Sequence, residues 1–294
     1  MKKIIALVLS AIMVLAMFAG CTPDEQGPGK NTYNLQTVKE GYLTVITSPD
    51  YAPYEFYALD KDGNPSLAGF DMALAKYIAD YLGLTLEVVP MSFDGILGEM
   101  QLGKADLALA GLSPDPDRLT AMDFSDIYYE GKQAFVTVAS KASQFTDLAS
   151  TNSADFTIAA QTGTIQVELA QQYSPDAELI QLTMATDIVA ELLKGNSNLD
   201  GAYIEWDVAA AYKANYPDLH IVCEVPYEQE GNVIGVKKGN TDLMKYVNEA
   251  LNKCVNDGTF AQFVATALEQ AAGDYYQGML DPDGKVPSSS ADAE

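Results

Sequence analysis

The sequence predicts an α/β protein built on mainly parallel sheets, and three observations carry that prediction. Between residues 42 and 110 strand-like and helix-like stretches alternate as β-α-β-α-β, which calls for crossover helices between parallel strands. A second β-α-β set follows between 157 and 204. The globular stretch, about 240 residues, is long for one hydrophobic core and comfortable for two lobes.

Residues 42–46 alternate as a strand. Residues 48–56 read as a loop, because Pro49 and Pro53 exclude helix. Asp62, Gly63 and Asn64 form a hairpin-turn signal. Apolar residues at helical spacing predict a helix over 70–81, stopped by Gly83. A strand at 84–89, a helix at 93–102 stopped by Gly103 and a strand at 106–110 complete the first set. Strands at 134–138 and 157–160 lead to a helix that opens at Gly163 and Thr164 and runs to about residue 172. Then come a strand at 180–182, a helix at 185–194, a strand at 201–204, a helix at 207–212 and an extended stretch at 221–225. A strand at 232–236 precedes helices at 241–255 and 259–271. Asp242 with Lys245, and Glu249 with Lys253, are charge pairs on a helix surface.

The ends of the chain give an address. Lys2 and Lys3 precede an apolar run from residue 4 to 18, closed by Ala19, Gly20 and Cys21, which is an export signal. Its apolar run of about 15 residues is short for a spanning helix, which needs ~20. Residues 16–21 look like a lipobox, with Phe18 where an aliphatic residue is usual. Residues 1–20 are therefore expected to be a lipoprotein signal peptide, with cleavage before Cys21 and a lipid anchor on that cysteine. Two or more acyl chains, such as palmitate with diacylglyceryl, hold a protein stably at a membrane. The expected location is the extracytoplasmic face of the cell membrane. Residues 21–36 are polar and read as a flexible tether. Residues 276–294 read as a C-terminal tail, disordered from Pro287 onward.

The chain has 17 basic and 41 acidic residues, a net charge of −24 that becomes −26 when Lys2 and Lys3 leave with the leader. So negative a protein lacks the basic face that nucleic acid requires. The charge keeps an exported protein soluble and away from anionic lipid. Besides Cys21 there are Cys223 in an apolar strand and Cys254 in a helix, read as separate buried thiols. The single histidine, His220, reads as structural. No catalytic residue, metal site or cofactor is expected.

Arg118 is the only arginine, against sixteen lysines. Its planar fork of donors matches a carboxylate through two parallel hydrogen bonds, which lysine cannot do. It follows a buried strand, and a cation beyond the carboxyl end of an α/β strand is well placed to hold a small anion. The alternative is a surface arginine in an acidic loop beside Asp115 and Asp117.

Several motifs then fall in order. They are Ser48 to Phe56 with Tyr51, Tyr54 and Glu55; Gly69-Phe70-Asp71; Ser92-Phe93-Asp94-Gly95; and Ala110-Gly111 with Ser113 and Arg118. Asp123 to Asp126 with Tyr128 and Tyr129, Gln161 to Thr164, Asp200 to Glu205 and Asp257-Gly258-Thr259 follow. With these, the chain resembles the family 3 extracellular solute-binding proteins that deliver polar amino acids to ABC importers. The resemblance implies a two-lobed, type II periplasmic-binding-protein-like fold. Two mixed, mainly parallel sheets flanked by helices would be joined by two hinge strands, near 129–133 and 227–232. Lobe 1 would be 37–130 and 230–275, and lobe 2 would be 131–229.

The resemblance also implies a site. Arg118 would take the ligand carboxylate, helped by Ala110, the N–H groups of Gly111 and Ser113, the Ser113 hydroxyl and the N–H groups of Thr164 and Ile165. Glu205, five residues after Asp200, would take the ammonium. Tyr51 and Phe93 would sandwich the side chain, suiting a guanidinium, amide or imidazole. Ser48 stands where members binding basic or amide side chains often carry aspartate, so Glu55, Asp50 and Asp115 are the acids that could replace it. Gln161 and Tyr203 are further candidates. The partners would be a polar or basic L-amino acid and the permease subunits of an ABC importer, with the binding protein a monomer. Two other readings share the resemblance: a dehydratase using Glu205 as a proton donor, and a ligand-sensing subunit.

Overall fold

The computed structural model describes residues 27–59, 64–228 and 231–272. The signal peptide, Cys21, the turn residues Asp62 and Gly63, and the 276–294 tail lie outside the described residues.

In the first half β1 (Tyr42–Thr47), β2 (Asp50–Tyr51), β3 (Glu55–Leu59) and β4 (Pro65–Ala68) lead to α1 (Phe70–Leu82). Then follow β5 (Thr85–Pro90), α2 (Phe93–Gln101), β6 (Leu107–Ala108), a 3-10 turn (Pro116–Thr120) and β7 (Met122–Phe124). The second half holds β8 (Gln133–Val138), β9 (Thr157–Gln161), α3 (Ile165–Tyr173), β10 (Glu178–Leu182), α4 (Ala185–Leu193), β11 (Gly201–Glu205), α5 (Trp206–Asn215) and β12 (Leu219–Val225). The chain then returns through β13 (Gly235–Lys237) to α6 (Thr241–Asn256) and α7 (Thr259–Gln270).

Two five-stranded sheets result, ordered β5-β1-β6-β13-β7 and β10-β9-β11-β8-β12. Both have one plan. In each, three parallel strands stand side by side, a fourth runs antiparallel to them (β13 or β8), and the edge strand beyond it (β7 or β12) runs with the first three again. A strand covered on both faces reads as a near-continuous apolar run, and Leu43 and Val45 of β1 are fully buried. On α1, Phe70, Leu74, Ile78 and Leu82 lie on one buried stripe. Gly83 ends that helix in the left-handed conformation, φ 69°, donating its N–H to Asp80. The two chain crossings pair with one another at Tyr129 and Asn232, whose main chains form an antiparallel bridge.

Five expectations need correction. Residues 27–36 are docked, not free. Asn31 and Thr32 donate main-chain hydrogen bonds to Gly83 and Leu82, and Leu35 is buried. The Tyr33 ring stacks 4.1 Å from that of Tyr246, between it and Tyr81. The loop at 48–56 contains a hairpin, because Asp50 and Tyr51 pair with Phe56 and Glu55. The strand expected at 106–110 is hydrogen-bonded only over Leu107–Ala108, and that expected at 232–236 begins at Gly235. In the latter, Val233 and Ile234 are buried apolar residues on irregular backbone, which a pattern of side chains alone cannot separate from strand. Both remaining cysteines are free, with Cys254 buried and Cys223 only half-buried.

Candidate functional site

The carboxyl ends of the parallel strands carry loops that meet in one cleft. This is where ligands sit in open α/β sheets. From the first lobe the cleft is lined by Tyr51, Phe93, Ala110, Gly111, Ser113 and Arg118. From the second it is lined by Gln161, Thr164, Ile165 and Gln166. Nine of the ten residues expected to touch ligand are thus brought together.

Arg118 sits in the 3-10 turn after β6 and is only 7% exposed. Its Nη1 donates to the Ser113 carbonyl at 3.1 Å, and its Nη2 to the Gly163 carbonyl of the second lobe at 3.3 Å. The guanidinium carbon stands 5.4 Å from the Phe93 ring centroid. The Asp115 carboxylate is 3.8 Å from Nε. Burial lowers the Arg118 pKa, offset by the charges of Asp115 and Glu168. An arginine hydrogen-bonded to two carbonyls and facing one carboxylate at that distance is a buried cation with donors to spare.

Gly111 takes a left-handed φ of 56°, and a Cβ there would lie 3.2 Å from the Tyr51 ring. Glycine therefore lets that ring lie against the loop. The Gly111 N–H, expected to face the ligand, donates instead to Asp71 at 3.0 Å. On the opposite wall Thr164 caps α3 and Ile165 opens it, so the positive end of a helix faces the cleft beside Arg118. The Thr164 side chain turns back to the Gln161 carbonyl at 2.6 Å.

Gln166 was not foreseen. Its Nε2 donates to the Tyr51 hydroxyl of the other lobe at 3.2 Å and to Gln133, at the start of β8, at 2.7 Å. Its place in the first turn of a helix aimed at the cleft was the signal available. Asn232 was also missed as a connector: it joins the return crossing to Gly111 O at 2.9 Å and accepts from Tyr54 at 3.3 Å.

Glu205 departs from its expected place on the cleft wall. It ends β11 with no loop before α5, so its carboxylate is drawn into capping: Oε2 accepts from Val208 N–H at 2.9 Å and Oε1 from Lys132 N–H at 3.3 Å. Its own main-chain N–H faces the Tyr51 hydroxyl. Burial, with the charge of Asp207, raises its pKa to about 8, against the opposing bonds from Val208, Tyr54 and Lys132.

The expected side-chain pocket is redistributed. Tyr203 lies within the second sheet, its hydroxyl 2.7 Å from Ser174 and 3.1 Å from Thr151, and its ring against Phe135. It stands two residues back from the strand end, too deep to reach the cleft. Asp115 caps the 3-10 turn by accepting from Asp117 N–H at 2.9 Å, which steadies the loop carrying Arg118. Ser48 donates to Asp50 at 2.8 Å and is off the cleft wall. Glu55 is fully buried, and neither carboxylate oxygen has a donor partner. It faces the carboxyl of Asp71, which holds the available donors, Gly111 N–H and the Tyr128 hydroxyl at 2.7 Å. Burial first, then Asp71, drives the Glu55 pKa well above the usual range, so Glu55 carries the proton that the two carboxyls share. Burial also lifts Asp71 to about 6. Among the described residues, no cluster of histidine, cysteine or acidic groups could hold a metal ion.

The chain is 29% identical over 264 residues to the arginine-binding extracellular protein ArtP of Bacillus subtilis, covering 88% of this chain and 94% of that one. It superposes with a TM-score of 0.72 and 35% identity on an amino acid ABC transporter substrate-binding protein from Streptococcus pneumoniae bound to L-arginine, covering 78% of this chain and 94% of that one. An ancestral amino acid-binding protein, AncCDT-1, a precursor of cyclohexadienyl dehydratase, matches with a TM-score of 0.68 at 30% identity, over 77% of this chain and 95% of its own. The bacterial extracellular solute-binding proteins, family 3, match residues 43–270, and the chain belongs to that family.

Proposed function

We propose that this protein captures a polar or basic L-amino acid between its lobes and presents it to an ABC importer, held by lipid on Cys21 at the extracytoplasmic face. The observation that carries the reading is Arg118, a buried guanidinium on the cleft wall that, among the described residues, donates only to main-chain carbonyls, one from each lobe. A ligand carboxylate supplies a hydrogen-bonded anion, beside the more distant Asp115. It takes the arginine fork, the Ser113 hydroxyl and the N–H of Ile165 at the start of α3. Tyr51 and Phe93 flank the ligand side chain. Glu205, which lies behind the Tyr51 hydroxyl, receives the α-ammonium once its carboxyl turns from the Val208 and Lys132 N–H groups.

Lobe 1 is assigned 37–130 and 230–275, and lobe 2 131–229. The sheet memberships support this division, and the docked residues 27–36 join lobe 1. The protein acts as a monomer. A binding role is favoured over catalysis because the chain matches arginine-binding and amino-acid-binding proteins along most of its length.

The test is a calorimetric titration of the protein lacking residues 1–21, refolded to strip bound ligand, with L-arginine, L-glutamine and L-histidine. At least one should bind. Arg118→Ala should then lose at least a hundredfold in affinity, since two charged hydrogen bonds are worth about 3 kcal/mol or more together. Unchanged affinity in that variant would overturn the assignment.

A further inference from the structure

Asp50 belongs to the first lobe, yet two of the three groups that donate to its carboxylate are in the second. Its carboxylate is fully buried and accepts from Ala185 N–H at 2.7 Å, from Gln161 Nε2 at 3.1 Å and, within its own lobe, from Ser48 at 2.8 Å. The Tyr212 hydroxyl of the second lobe also donates to its carbonyl at 3.3 Å. Ala185 begins α4, whose N-terminal end favours a carboxylate.

The consequence reaches the cleft through Gln161. Its amide nitrogen donates both hydrogens, one to Asp50 and one to the Thr183 carbonyl at 3.1 Å. Turning the amide over would set its oxygen against a carboxylate and a carbonyl, neither of which can donate, so chemistry fixes the orientation. Gln161 lines the cleft, and its Oε1 has no hydrogen-bond partner among the described residues. What the side chain offers a ligand is therefore an acceptor.

We propose that Asp50 sets the side-chain selectivity of the cleft by holding Gln161 so that its carbonyl oxygen faces the ligand. Guanidinium and amide side chains meet that oxygen with an N–H, whereas a carboxylate side chain meets it acceptor to acceptor. This inference rests on the proposed amino-acid binding. Asp50 is a positioning residue, distinct from Arg118, which holds the part common to all amino acids.

The experiment measures Kd for L-arginine, L-glutamine and L-glutamate in wild type and three variants. The wild type should prefer L-glutamine to L-glutamate, its near isostere. Asp50→Ala frees the Gln161 amide to turn and should narrow that preference at least tenfold. Asp50→Asn keeps an acceptor oxygen in the same place and should hold the ratio within about threefold, whatever the absolute affinities. Gln161→Leu removes the acceptor and should narrow the ratio as Asp50→Ala does, which covers the case in which the alanine variant fails to fold. Uniform weakening of all three ligands by Asp50→Ala or Gln161→Leu, with the ratio intact, would overturn the inference and leave Asp50 a contact between lobes only. A wild type that binds none of the three would remove the functional reading itself, and that result is seen before any variant is made.

Discussion

Among the described residues the Arg118 guanidinium makes two hydrogen bonds, both to main-chain carbonyls, and these carbonyls lie on opposite sides of the cleft. A lysine there would keep the charge but lose the planar fork, so Arg118→Lys should still bind amino acids at least tenfold more weakly than wild type. Equal affinity would show that charge alone suffices. Glu205 supplies a second prediction at this scale. Burial holds its pKa at about 8 in the ligand-free protein, so at neutral pH it is largely protonated. Pairing with an ammonium requires the carboxylate. Binding at pH 7 should therefore release a proton, and affinity should climb with pH and level off near 8. Titrations in buffers of different ionisation enthalpy read this directly, and Glu205→Gln should abolish the part due to this residue. A buffer-independent enthalpy would place the ammonium elsewhere. Sequence reasoning reached Arg118 because composition singles it out. It could not see that Glu205 caps a helix, since capping depends on the absence of a loop between β11 and α5.

The segment at 27–36 changes the picture at the scale of elements. Its glycine, proline and polar residues read as tether, but Tyr33 and Leu35 tie it to α1 and α6. A buried leucine side chain contributes about 1.5–3 kcal/mol, and a stacked aromatic pair about 0.5–1.5 kcal/mol. A chain beginning at residue 37 should thus be less stable than one beginning at 27 by on the order of 2–4 kcal/mol, or roughly 5–15 °C in Tm. Equal melting temperatures would mean that the docked segment adds nothing. Helices with a clear apolar stripe and a glycine stop, such as α1, were legible to within a residue or two. The β2–β3 hairpin was not, because two prolines masked a pairing that long-range packing stabilises. The strand starts near β13 failed for the opposite reason: burial alone had made irregular backbone look like strand.

Across the whole molecule, several buried carboxyls share one thermodynamic sign. Burial raises Asp50 and Asp71 to about 6 and Glu205 to about 8, all above the unfolded range near 4. The folded state therefore holds more protons than the unfolded state between those values. Stability is greatest near the unfolded pKa and is lost as pH rises through the folded pKa values. Scanning calorimetry of the ligand-free protein should show a lower Tm at pH 8 than at pH 5.5, and the reverse order would contradict the burial of these groups. The two-lobe architecture was legible from alternation and length, together with a family resemblance. The contacts between lobes, from Asp50 to Gln161 and Ala185 and from Gln166 to Tyr51, were not, because they join residues more than a hundred positions apart. A ligand bound across such a cleft favours the closed arrangement by its differential affinity.

The most direct measurement is a thermal-shift screen of the refolded protein lacking residues 1–21 against the proteinogenic L-amino acids. A ligand that binds only the native state adds about 2.7 kcal/mol at a hundred times Kd, or roughly 5–10 °C for a chain of this size. Selective stabilisation by one or a few amino acids with basic or amide side chains is the predicted result, and no shift with any amino acid would contradict the account.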